Sequence, residues 1–409
     1  MTEPKGAPMT TRTRDDIRTV TVEQWLEHYE AGSTLFASPT VSLLAQGTVL
    51  ERHTDNAHGQ MLGQARDLLD QATQLGLDAP LLLGVIPFNP SRQAYLRVPA
   101  RYTLDPVLRR PAQRPPLARS ANTVAAQSLQ PDGAGYEDSV ARILTTMREQ
   151  NIQKTVMART VSVTLEQPLD RLTVLRNMLH SNPAGYTYAM PLPGGDASDP
   201  ATFLGASPEL LVRRQGDQVI VNPLAGTAPR HADPQLDQAS AERLMASGKD
   251  LREHAVVIDD VVRVLATFCD ELGVPDGPSL TSTANLWHLS TRISGRLRDP
   301  ATSSLELALA MHPTPAVCGH PTLPAMQAIE ATESFERGYF AGAIGWSDHQ
   351  GNGEWAVAIR CAHYEQQRLT LSAGAGIIEG SRPELERQET GNKLMTLIHS
   401  LGLAQDITI

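Results

Sequence analysis

The sequence predicts an α+β protein with mixed or antiparallel sheets. Three observations lead there. Strand-length apolar runs come in groups, with helical stretches set between them. Apolar residues make up 41% of the 409 and charged residues 20%, enough to bury a substantial core. Near the C-terminus, 340–346, 354–362 and 369–377 read as three successive antiparallel strands, followed by a helix over 383–399. No internal repeat is present.

The elements follow in order. Residues 1–15 carry no apolar run, so they read as a disordered tail and not a signal peptide. Helical spacing covers 21–29, extended chain 36–50, and a helix 60–75. The proline-bounded run 80–88 is a short buried strand, with 95–98 as its partner. Residues 106–133, rich in Pro, Arg, Ala and Gln, read as a flexible loop. An amphipathic helix over 136–150 leads into a β-branched strand over 154–163. Then come a helix (169–179), strands at 185–190 and 201–205, a hairpin (210–213 with 218–222) and a Gly/Pro loop at 223–230. Two helices (236–247 and 251–272), an extended stretch (285–293) and a helix (305–311) complete the reading.

Composition bounds the function. A net charge of −10, with both signs mixed throughout, argues against a nucleic-acid partner. No apolar run is long enough to span a bilayer. The three cysteines, Cys269, Cys318 and Cys361, fit neither a zinc pattern nor a disulfide framework, which points to the cytoplasm. There is no Walker loop, GxGxxG, HExxH or GxSxG motif.

Two acidic helices carry the strongest chemical signal. In Ser247–His254 the pairs Lys249/Glu253 and Asp250/His254 are each four apart and share a helical face. Glu253 stands at the start of the apolar stripe, where a carboxylate needs a cation or a metal. The stretch Glu386–Lys393 has the same character and carries Glu389. Two carboxylates facing one cleft suit a hard divalent ion such as Mg²⁺, which completes its shell with water and substrate.

Other residues have two readings each. Arg360, flanked by Ala358 and Ala362 on one strand face, is either a carboxylate-binding guanidinium or an arginine turned to solvent. The run Gly374-Ala375-Gly376 marks close approach of a ligand, or merely tight sheet packing. Lys393 either meets a ligand or forms a surface pair with Glu389. Lys154 is a desolvated general base or a snorkelling lysine; Glu209 is a general acid or a turn residue; His288 is catalytic or a core histidine.

Together these stretches resemble the chorismate-utilising enzymes, the isochorismate, salicylate and anthranilate synthases. The likeness is strongest to isochorismate synthases of catechol-siderophore pathways. It rests on Gly205-Ala206-Ser207-Pro208-Glu209-Leu210-Leu211, Pro223-Leu224-Ala225-Gly226-Thr227, Lys249-Asp250 with Glu253-His254, and Leu286-Trp287-His288-Leu289. It continues through His312-Pro313-Thr314-Pro315-Ala316, Gly351 to Trp355, Ile359-Arg360-Cys361-Ala362, Ala373 to Ile377, and Glu389-Thr390. The resemblance implies one domain over 16–409, two large packed β-sheets with helices outside, and a monomer. It implies that Lys154 activates water for attack at C2 of chorismate and that Glu209 protonates the departing C4 hydroxyl. It implies Glu253 and Glu389 as Mg²⁺ ligands, with Arg360, the Gly374 to Gly376 amides and Lys393 holding the substrate carboxylates. Gly226 and Thr227 would line the same pocket, with His288 beside it.

Within the family, ammonia-using members resemble this chain but carry glutamine where Lys154 stands, so Lys154 implies water and no glutaminase partner. Salicylate-forming members tend to carry threonine, tyrosine and leucine where this chain has Ala316, Phe340 and Ile359, which implies that the reaction stops at isochorismate. Val317, His320 and Ser372 depart from the expected phenylalanine or leucine types. Ser372 keeps salicylate synthase as the alternative, and a non-catalytic chorismate-binding relative is a third reading.

Overall fold

The computed structural model describes residues 20–54, 58–105, 108 and 115–409. The expected tail at 1–15 lies outside the described residues. The protein is built on two large sheets of ten and nine strands, plus a three-stranded sheet. Every strand pair among the described residues is antiparallel, so the antiparallel half of the expectation is the one realised.

Alternation along the ten-stranded sheet separates two cores. In Thr34–Ala37, Phe36 faces a cluster shared with Leu83, Val212 and Trp355 of the nine-stranded sheet. Leu35 and Ala37 face the other way, onto the helices Val22–Leu26, Arg171–Ser181 and Pro383–Leu401. Tyr188, Ala189 and Met190 repeat the pattern on the next strand. The nine-stranded sheet packs the helices His58–Gln74, Gly248–Leu265 and Ser304–Met311 with the same inter-sheet cluster.

Four expectations are corrected. Within 106–133, Val124–Gln130 is a strand paired with Thr160 to Leu165, because its backbone completes an otherwise bare sheet edge. The Gly/Pro segment 223–230 contains a strand, Leu224–Pro229, paired with Leu286–Ser290, its prolines tolerated at the ends. The second central helix ends at Leu265, where its apolar stripe ends, and Cys269–Gly273 is a strand against Ile293–Leu297. A further helix, Thr322–Thr332, was not foreseen; Pro324 in its first turn and the spacing of Ala325, Ala328 and Ile329 were its signals.

The correction at 354–362 positions the site. The single strand expected over 354–362 is two. Gly353–Val357 belongs to the nine-stranded sheet and Cys361–Glu365 to the ten-stranded one. The chain crosses between sheets at Ala358–Arg360, and Arg360 takes the left-handed φ of 51°. A second crossing, Ser207–Glu209, joins Pro200–Ser207 to Leu210–Gln215. The two crossings are bonded to each other. Ala206 N donates to Arg360 O at 3.0 Å, and Val357 N donates to Glu209 O at 3.2 Å.

Candidate active site

The paired crossings put Glu209 and Arg360 into one cavity. Neither side chain has an easy route to water. Glu209 is 2% exposed, and burial raises its carboxyl to about 7, against the pull of the Leu224 N–H, Lys154, Arg360 and Lys393. Leu224 N donates to Glu209 Oε1 at 3.4 Å. Burial lowers the Arg360 guanidinium to about 10, opposed by Glu389 and Glu209, so it stays charged. It makes no side-chain hydrogen bond among the described residues, which leaves its donor fork for a carboxylate.

The three-stranded sheet supplies Gly226, Thr227 and His288 to the same cavity. Gly226 has φ 79° at the bulge in Leu224–Pro229. Thr227 Oγ1 and His288 Nδ1 lie 3.3 Å apart. Burial, with Arg360 and Lys393 nearby, pushes His288 well below its ordinary pKa, so the ring is neutral. Its buried Nε2 has no partner among the described residues. Ala316, Phe340 and Ile359 form apolar wall, joined by Val317 and Ser372.

The two acidic helices meet here. Ser247 caps Gly248–Leu265, its hydroxyl accepting from Asp250 N at 3.2 Å, and one turn later Glu253 lines the cavity. Glu389 reaches it from Pro383–Leu401. Burial pushes the Glu253 carboxyl up, but Lys154, Lys249 and Lys393 outweigh it and hold it below its ordinary value. Lys393 Nζ donates to Glu389 Oε1 at 2.6 Å and to Gly374 O at 2.8 Å. Both partners are largely enclosed, unlike an ordinary surface pair. Gly374 and Gly376 line the cavity; Ala375 does not, since alternation along Arg368–Ile378 turns it away.

Lys154 does not wall the cavity either. It is 0% exposed, behind Glu253, with Nζ 3.3 Å from Glu253 Oε1 and donating to Pro315 O at 2.7 Å. A lysine so enclosed does not snorkel. The expected facing pair Lys249/Glu253 is replaced. Lys249 Nζ meets Glu386 Oε1 at 2.6 Å, a partner on the other acidic helix that spacing within one helix does not reveal.

The donor set suits a hard divalent cation. Glu253 and Glu389 each give Oε1 to a lysine, and the second oxygen of each accepts no hydrogen bond among the described residues. Behind them the carboxyls of Asp250 and Glu386 are pushed up by burial, and further by Glu253 and Glu389 respectively, the mark of surplus negative charge. No group of three or more candidate ligands occurs among the described residues. A closed all-protein cage is therefore not what these residues offer. They offer two carboxylates and open positions, the arrangement Mg²⁺ takes with water and substrate.

With the cavity and its lining described, comparison with known proteins identifies the family. The chain belongs to the chorismate-binding enzymes, whose family pattern matches residues 102–402. It is 41% identical over 385 residues to isochorismate synthase DhbC of Bacillus subtilis, covering 93% of this chain and 96% of that one. The vibriobactin-specific isochorismate synthase of Vibrio cholerae is 38% identical over 370 residues, 90% of this chain and 91% of that one. The crystal structure of DhbC from Bacillus anthracis superposes with a TM-score of 0.88 at 40% identity, covering 93% of this chain and 99% of that one.

Proposed function

We propose that the protein is an isochorismate synthase, an isomerase that interconverts chorismate and isochorismate. One observation carries the reading: a buried carboxyl raised to about 7, Glu209, shares a cavity with the guanidinium of Arg360, which makes no side-chain hydrogen bond among the described residues. Around it stand the carboxylates Glu253 and Glu389, with Lys154 behind Glu253. The relatives named above support it.

Chorismate is a dianion entering a protein of net charge −10, so local cations must receive it. Arg360 and Lys393 bind its carboxylates, and the Gly374 to Gly376 backbone lets the ring approach closely. Lys154 accepts a proton from water as the oxygen bonds to C2. The ring double bonds shift, the C4–O bond breaks, and Glu209 gives its proton to the leaving oxygen, which departs as water. The two isomers have one composition, so atoms balance. Glu253 and Glu389 would hold Mg²⁺, which when bound supplies charge neutralisation for a substrate carboxylate. His288, neutral, presents Nε2 as a hydrogen-bonding group. Ala316, Phe340 and Ile359 wall the cavity where salicylate-forming members tend to carry threonine, tyrosine and leucine, which favours stopping at isochorismate.

This reading takes the protein as a monomer of one chorismate-binding unit over 16–409, working in the cytoplasm without a glutaminase. Among the described residues no helix is long and apolar enough to cross a membrane. The named relatives make a siderophore pathway the natural setting.

The test is purified protein with chorismate and Mg²⁺. Isochorismate in slow equilibrium with chorismate is expected. Salicylate with pyruvate, or no turnover, overturns the reading. Lys154→Gln and Glu209→Gln should each lower kcat by about 10²-fold or more, and EDTA should stop turnover.

A further inference from the structure

We propose that Arg337, with Glu333, is the positioning residue for Lys154; the inference rests on Lys154 acting as the base. The strand Lys154–Leu165 has Arg368–Ile378 along one side for its whole length. Its other side is interrupted. The short strand Gly319–His320 covers Lys154 and Thr155, and Val124–Gln130 covers Thr160 to Leu165. Residues 156–159 have no complete neighbour. Val156 N still reaches Cys318 O at 2.8 Å, but Val156 O and Ala158 N have no strand to take them. A buried backbone group left unpaired keeps the desolvation cost of a lost hydrogen bond.

Two side chains fill the gap as a strand would. Arg337 Nη2 donates to Val156 O at 2.6 Å, and Ala158 N donates to Glu333 Oε1 at 2.8 Å. Arg337 and Glu333 are joined by two bonds of 2.6 and 2.8 Å, both side chains 3% exposed. The gap exists because the chain before Cys318 leaves the sheet edge, where Ala316 and Val317 line the cavity and Pro315 O meets Lys154 Nζ. Arg337 Nη1 fastens this departing segment too, donating to Val317 O at 2.9 Å.

One ion pair therefore holds the strand two and four residues beyond Lys154, and the segment two residues beyond the carbonyl that receives Nζ. The guanidinium also lies over the Phe88 ring at 4.3 Å and the Phe340 ring at 5.9 Å, Phe340 being cavity wall. A buried ion pair is a poor source of net stability, because desolvation offsets its attraction. What it supplies here is geometry: a fixed donor and a fixed acceptor where the sheet must open.

Arg337→Lys keeps the charge beside Glu333 but cannot bond both carbonyls; the double variant Glu333→Gln/Arg337→Met leaves no buried charge while keeping an acceptor for Ala158 N. Either variant with parent-like circular dichroism decides the matter alone. A displacement of Lys154 by about 1 Å should lower kcat by up to about 10²-fold, with KM for chorismate and the half-saturating Mg²⁺ concentration within about twofold of the parent. A folded variant with the parent's kcat, or one whose KM rises as far as its kcat falls, overturns the proposal. An inactive parent, or an active Lys154→Gln, would sink the underlying function instead, so the two failures are distinguishable.

Discussion

At the scale of single residues, the chemistry is set by where charge is hidden. Glu209 has an ordinary value of 4.5 and is raised by burial to about 7 in the folded protein. Between those values the unfolded chain releases a proton that the folded chain keeps. The stability present at low pH is therefore lost as pH rises from about 4.5 to about 7, and is level above that. Glu209→Gln removes this dependence. It should gain on the parent by up to about 3 kcal/mol between acid and alkaline pH. Urea midpoints at either end of that window check this, and a pH-independent gap would refute it. The parent's kcat/KM should fall as pH climbs past about 7, since the acid then lacks its proton. Gly376 makes a second case. A β-carbon there would collide with Glu253 Oε1, the movable end of a side chain, so the carboxylate yields and the sheet does not. Gly376→Ala should fold normally yet need about tenfold or more Mg²⁺ for half-maximal rate, by analogy with other disturbances of ligand orientation. Unchanged Mg²⁺ dependence would count against Glu253 as a ligand.

At the scale of elements, spacing was readable and partners were not. The sequence reading starts the second central helix at 251; the structure starts it at Gly248, with Ser247 as its cap. Ser247→Ala should cost about 1 kcal/mol in urea unfolding and loosen the turn that aims Glu253. No loss in either stability or Mg²⁺ response would make the cap irrelevant. The helical face shared by Lys249 and Glu253 was equally plain, yet Lys249 crosses to Glu386. Helical periodicity fixes what is adjacent on one helix and is silent about a second helix arriving beside it. Residues 354–362 teach the same lesson for strands. Their alternating pattern is continuous, and nothing local marks Ala358–Arg360 as the point where the chain changes sheets. The alanines flanking Arg360 signalled room around it, but that room comes from a left-handed turn and not from a flat strand face.

At the scale of the molecule, the site is a consequence of joining two sheets. Two of the chain's crossings between them lie side by side, and each of these two delivers one functional group, Glu209 or Arg360. The acidic helices then bring Glu253 and Glu389 to one cavity from positions far apart in sequence. Crowded carboxylates store repulsion that a cation relieves. Mg²⁺ alone should therefore raise the unfolding midpoint in a concentration-dependent way, following mass action. Glu253→Gln/Glu389→Gln should abolish that rise, and a rise that survived would place the cation elsewhere.

The sequence by itself determined the α+β class, most helices and strands, and the residue types that mark a chorismate-binding chain, because periodicity and short motifs are local properties. It also supplied Lys154, Glu209, Glu253 and Glu389 as candidates, Lys154 and Glu253 because a charge beside an apolar run is conspicuous, Glu209 and Glu389 through the motifs that carry them. Only the tertiary structure decided how buried each would be, which lysine pairs with which carboxylate, and that Arg337 and Glu333 patch an opened sheet edge. Most of those outcomes depend on segments far apart in sequence meeting in space. Desolvation and hydrogen bonding are set by that meeting, and a linear pattern does not encode it at any one position.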